Sequence, residues 1–122
     1  MFYPKVVHKN TITRVIIRPY EEQPLEIKIE LVLDFDLQGE LVGIEVLDFA
    51  RQVGKERAKK VLHTTSCKYL DCSYDKWSDA FYLRLTEGSS SEQLALEGKS
   101  MFGENGDLLG FYYEREFIDV SA

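Results

Sequence analysis

Two stretches of this chain carry residue types that hold metal ions or move protons. The first is Asp34-x-Asp36-x-Gln38-Gly39, with Glu45 further along. The order of its oxygen-bearing side chains, and a glycine at the sharp turn, matches a calcium-binding loop. The second is His63-x3-Cys67-x4-Cys72, which offers candidate zinc ligands or a thiol with a nearby base.

Context decides what these stretches can do. A calcium loop of this type lies between two helices, whereas hydrophobic alternation on both sides of Asp36 predicts strands. Placing Phe35 opposite Val42 in a hairpin leaves Asp34 and Glu45 diagonal, with Cα atoms roughly 7–8 Å apart. One loop cannot wrap an ion in that geometry. Asp34, Asp36 and Glu45 are therefore expected to form a solvated acidic face, together with Glu30. Carboxylates do acid–base work only where burial or a like charge shifts a pKa. Cys67 and Cys72 sit at the upper limit of the usual zinc spacing, and the fourth ligand would have to be Asp71, Asp75 or His8. Cysteines near strands read more simply as small buried apolar residues. No metal, no cofactor and no catalytic residue is assigned.

The remaining candidates concern binding. Arg51, Lys55, Arg57, Lys59, Lys60 and Lys68 form a basic run broken only by Glu56, although the chain as a whole carries −6. Such a stripe can dock an acidic partner or a nucleic acid, or simply face solvent. Tyr74, Trp77 and Tyr82 could stack bases or sugars, but fit a core or an interface better. Phe111, Tyr112, Tyr113 and Phe117 put aromatic side chains on both faces of one segment, and a strand of that kind is covered on both sides.

Composition bounds the classes. The chain has 122 residues, is 44% hydrophobic and has a pI near 4.9. That suffices for one domain with a real core. An acidic chain repels phosphate backbones, so nucleic acid is disfavoured as a partner. The N-terminal MFYPKVVHKN lacks the apolar stretch of a signal peptide, and no run approaches the roughly 18 apolar residues of a membrane span. Few cysteines and no export signal point to reduced thiols in a cytoplasm.

The elements that position these groups follow from periodicity. Leu25–Phe35 alternates apolar and charged residues, with Val32 the exception. Gly39 lies in a turn, and Leu41–Leu47 returns as the second strand of a hairpin. Asp48 caps a helix through about Leu62, weakened at Gly54. Thr11–Arg18 reads as a weaker strand. Ala80–Leu85 and Leu108–Phe117 are further strands, joined across a polar loop at Gly88–Ser91 and a turn at Asn105-Gly106. Residues 33–46 and 100–113 also repeat one pattern. Phe35, Gly39, Glu40, Leu41 and Gly43 correspond to Phe102, Gly106, Asp107, Leu108 and Gly110, at a constant offset of 67. The chain thus reads as one domain of two related units, about 1–66 and 67–122.

Some of these residues resemble a family of short bacterial domains that includes the YuzE-like proteins. The front of that pattern appears as Tyr74-Asp75, Asp79-Ala80 and Tyr82-Leu83-Arg84-Leu85. The back appears as Leu33-Asp34-Phe35-Asp36, Gly39 and Val42-Gly43-Ile44-Glu45-Val46-Leu47-Asp48-Phe49-Ala50. In the family, front precedes back within a unit. Here the good front lies in the second half and the good back in the first. The resemblance covers roughly half the chain and implies a fold without implying an activity.

The expected fold is α+β: an antiparallel sheet of two pseudo-symmetric three-stranded meanders with at least one packed helix. The expected role is a non-catalytic module that binds another protein and forms a homodimer through Phe111, Tyr112, Tyr113 and Phe117. The alternatives are a small-ligand or hydrolytic enzyme using Asp34, Asp36 and Glu45, and a nucleic-acid accessory using Arg51, Lys55, Arg57, Lys59 and Lys60.

Overall fold

A computed structural model describes residues 4–19, 22–64 and 71–115. The elements are β1 (Lys5–Lys9), β2 (Ile12–Ile16), β3 (Leu25–Phe35), β4 (Leu41–Val46), α1 (Phe49–Val53), α2 (Lys55–Thr64), β5 (Asp71–Asp75), β6 (Ala80–Arg84), β7 (Glu92–Phe102) and β8 (Leu108–Glu114). The strands form an eight-stranded antiparallel sheet in the order β1-β2-β8-β7-β3-β4-β6-β5.

That order has an internal regularity. Exchanging β1–β4 for β5–β8 turns it into its own reverse. β3 and β7 pair along their whole lengths, from Leu25↔Phe102 to Phe35↔Glu92, with Glu30↔Glu97 at the middle. The flanking hairpins match residue for residue. Asp34↔Gly43 is followed by a bulge and Phe35↔Leu41, and Met101↔Gly110 is followed by a bulge and Phe102↔Leu108. Their turns repeat the same backbone bonds, Gly39 N–H to Asp36 O and Gly106 N–H to Gly103 O. Both turns need a left-handed residue, and glycine takes φ of 80° and 85° there at no steric cost.

The expected meanders are not what forms. β2 does not turn back onto β3. Its chain continues along β8 instead, where the N–H groups of Ile17 and Arg18 both reach Leu109 O. Pro19 and Pro24 then bracket the connection to β3 and preclude a tight hairpin. The chain therefore builds four hairpins, and the first of each half pairs with the second of the other half: β2 with β8, and β6 with β4. β1 was not anticipated, because Lys5-Val6-Val7-His8-Lys9 is short and bounded by lysines. β7 extends through Ser100-Met101-Phe102, although the sequence over Ser91–Leu96 alone reads equally as a helical turn or a strand.

Alternation along β3 is as expected, with Ile29, Leu31 and Leu33 inward and Glu26, Lys28 and Glu30 outward. The sheet curls around its apolar face. Three strands separate β6 from β8, yet the rings of Phe81 and Phe111 lie 6.5 Å apart. In a flat sheet the four intervening spacings would hold them roughly 19 Å apart. The concave side is filled by Phe49 and Val53 of α1 and Ala58 and Val61 of α2. Phe49 stacks on Phe81 at 4.8 Å. The expected single helix is two, broken where Gly54 adopts φ 98°.

Where β4 leaves the sheet for α1, β3 would lose a backbone partner. Gln52 supplies it. Its Oε1 accepts from Glu30 N–H at 2.7 Å, and its Nε2 donates to Glu30 O at 3.3 Å and Leu47 O at 2.7 Å. One side chain thus replaces a missing strand residue.

Candidate functional site

The acidic face differs from expectation. Asp34 is buried, at 3% exposure. It accepts from Gln93 Nε2 at 2.8 Å and from the Tyr82 hydroxyl, which lies across Gly43. Burial, then the Asp34 charge and hydrogen bond, raise the Tyr82 pKa. Glu45 is half-buried opposite Tyr82. Asp36 serves its own turn, with Oδ1 accepting from Gln38 N–H and Glu40 N–H, both at 2.9 Å. Asp34 keeps its expected place on the outer face opposite Gly43, but Gln93 of β7 and the Tyr82 ring lying across Gly43 cover it. The bulge acts only beyond it, pairing Phe35 with Leu41 instead of Val42. The three carboxylates do not converge on a common point. Among the described residues no group of His, Cys, Asp and Glu is placed to hold a metal ion. Cys67 lies outside the described residues, as does the His63 side chain, so the candidate zinc set is outside them too.

The aromatic segment is also placed differently. β8 lies inside the sheet between β2 and β7, and the edges belong to β1 and β5. Phe111 and Tyr113 are buried in the concave core. Burial is the main reason the Tyr113 pKa is raised. Tyr112 points to the convex face, where its ring packs beneath Arg14 and Lys99 and its hydroxyl donates to Glu26 at 3.0 Å. The faces of β8 are thus covered within one chain. Phe117 lies outside the described residues.

Arg51, Lys55, Arg57, Lys59 and Lys60 are all exposed, on the side of α1 and α2 opposite Val53, Ala58 and Val61. Arg57 Nη1 donates to Val53 O at 3.1 Å, covering the break between the helices. Lys60 lies along Gly106 of the β7–β8 turn. The stripe exists as an exposed surface of these two helices.

The best-defined local construction is the turn between β5 and β6, residues 76–79. Asp79 adopts φ 55° and turns its carboxylate onto the start of α1. Its oxygens accept from Ala50 N–H at 3.0 Å and from Arg51 N–H at 3.4 Å, and its carbonyl accepts from Phe49 N–H at 2.9 Å. Asp48, the cap expected from sequence, is left-handed and makes no side-chain cap bond. The cap therefore comes from another hairpin, 29 residues away in sequence for Ala50. Tyr74 donates its hydroxyl to Asp79 Oδ1 at 2.5 Å. Partial burial works against the Asp79 charge, but the bonds from Tyr74, Ala50 and Arg51 outweigh it and lower the pKa. The same bond to Asp79, then burial, pushes Tyr74 up to about 12.

Trp77 stands at the tip of this turn, 90% exposed. Its N–H is held by Asp75 Oδ1 at 3.0 Å, and Lys76 Nζ lies 5.6 Å from its ring centre. Leu47, also exposed, leaves β4 just beyond Val46, whose partner is Phe81 at the base of the same hairpin. Sequence reasoning placed Trp77 in a cluster with Tyr74 and Tyr82. The structure separates them: Tyr74 packs against Phe49, Tyr82 lies on the convex face, and Trp77 is in solvent. The Asp79 cap was missed because no local pattern marks a helix cap donated by a distant turn.

No family model, curated protein or solved structure matches the chain. No described helix is long and apolar enough to cross a membrane.

Proposed function

We propose that the chain is a non-catalytic protein-interaction module that grips its partner through the Trp77 turn. The observation that carries this reading is the contrast between the tip and its mounting. A tryptophan at 90% exposure sits on a turn fixed at Asp75, at Asp79 and through Tyr74 to the core. Tryptophan is favoured at binding hot spots, and a rigid mount lowers the entropy lost on association. The described carboxylates with converging bonds are engaged in turns, a cap and a sheet-face cluster, which leaves them no reacting atom to address.

The same reading takes the chain as two copies of one YuzE-like unit with exchanged first hairpins. The offset of 67, the matching bulges and the reversible strand order support it. So does the fit between front and back. β5–β6, carrying Tyr74, Asp79 and Tyr82, lies directly on β4 and α1, and Asp79 joins them. Exchange thus reunites a front and a back that sequence order keeps apart.

Trp77 is the chain's sole tryptophan, so the test has a built-in probe. Affinity capture with wild type and Trp77→Ala in parallel should recover a protein that only wild type retains. Titrating that purified protein should shift the Trp77 emission to shorter wavelength, and Trp77→Ala should weaken binding by about 30-fold or more. Equal recovery by both forms overturns the reading.

A further inference from the structure

We propose that this protein also associates with itself, head to tail, by pairing β1 of one copy with β5 of the next. The contact lies beside the Trp77 turn, with which it shares Asp75, but does not use Trp77 itself.

Among the described residues β1 pairs only with β2, and β5 only with β6, so each leaves one side of its backbone without a strand partner. Such an edge is a template for another strand. The two edges differ in charge. β1 reads Lys5-Val6-Val7-His8-Lys9 and β5 reads Asp71-Cys72-Ser73-Tyr74-Asp75. Each is five residues long, with lysines at both ends of one and aspartates at both ends of the other. No ion pair engages Lys5, Lys9 or Asp75 within the described residues.

Strand direction permits the match. The sheet has eight strands, all antiparallel to their neighbours, so its two edges run in opposite directions. A second copy laid alongside in the same orientation therefore brings β5 antiparallel to β1. Centring Val7 on Ser73 sets Lys5 against Asp75 and Lys9 against Asp71, and places Val6 against Tyr74. Val6 and Tyr74 both pack inward on their own cores, so the apolar sides of the two sheets also meet.

The same charges select against the other pairings. Two β1 edges placed antiparallel would oppose lysine to lysine, and two β5 edges aspartate to aspartate. Like charges directly opposite on neighbouring strands are destabilising. The contact is thus heterologous, and copies add one after another, as a ring or an open filament.

The test is a charge exchange, read by sedimentation velocity from about 1 to 100 µM. Wild type should associate as concentration rises, and salt near 0.5 M should weaken the association by roughly tenfold through screening. Lys5→Glu/Lys9→Glu gives a chain with two acidic edges, and Asp71→Lys/Asp75→Lys one with two basic edges. Each alone should remain monomeric with a wild-type circular dichroism spectrum, and an equimolar mixture should associate. Trp77→Ala should associate like wild type. A monomeric wild type at the highest concentration overturns the proposal. So does association of either charge variant alone, or a mixture of two folded variants that stays monomeric.

Discussion

Asp79 does the work of three groups at one point of the chain. It ends a hairpin in a left-handed turn, caps α1 and anchors Tyr74. Loss of a helix cap costs about 1–2 kcal/mol. Asp79→Ala should therefore lower the unfolding free energy, read from urea titration, by that amount, and Asp79→Asn, which keeps an acceptor, by less. The pH dependence has a definite sign. The Asp79 pKa is lowered on folding, so its contribution is complete above the ordinary aspartate value and is lost as pH falls through the lowered one. Tyr74 is raised, so its contribution is complete below its ordinary 10.0 and fades as pH climbs toward about 12. Urea titrations at acid and alkaline pH should show both losses, and Tyr74→Phe should reduce the alkaline one, leaving the part that comes from the other raised tyrosines, Tyr82, Tyr112 and Tyr113. A flat alkaline limb in wild type would contradict the assignment. None of this was readable at Asp79 itself. The sequence there shows only Asp-Ala ahead of a strand, while Asp48, next to the helix in sequence, looks like the better cap.

At the level of hairpins the sequence was far more informative. The period-two run over Leu25–Phe35 and the glycines at 39 and 106 located β3, both sharp turns and the starts of β4 and β8. Local alternation cannot report a bulge, which inserts a residue without changing composition, nor that Asp34, facing outward as expected, is covered by Tyr82 and Gln93 from other strands. Nor does a repeated glycine have a repeated purpose. At Gly43 the absent side chain makes room for the Tyr82 ring, while at Gly110 it lets β8 approach the Val15 carbonyl of β2. A side chain can swing aside and a backbone in a sheet cannot. Gly110→Ala should destabilise the protein by ~1–3 kcal/mol, measured by thermal or urea unfolding. Gly43→Ala should cost less, because Tyr82 can rotate outward.

Strand order across the sheet is where sequence reading failed most. Adjacent hairpins were expected to form meanders, because near neighbours usually pair. The order depends instead on the bracketed connection after β2 and on a partner nearly a hundred residues away, neither of which has a local signature. The exchange makes each half depend on the other: β2 needs β8, and β6 needs β4. Segments 1–66 and 67–122, expressed separately, should each lack a cooperative unfolding transition. Mixed, they should bind one to one and regain it, as seen by circular dichroism and calorimetry. Independent two-state folding of either segment would refute the dependence.

That dependence also sets a timetable. A chain leaves the ribosome from its first residue onward, so the β1–β2 hairpin emerges early and finds no seat. Its partner, β8, is the last described strand to be made. At about 5–20 residues per second, the wait is on the order of 10 s. Throughout that interval the nascent hairpin has two open sides and neighbouring ribosomes carry identical ones. Lysines at both ends of β1 then have a second benefit: they keep waiting hairpins apart until the sheet that will receive them exists.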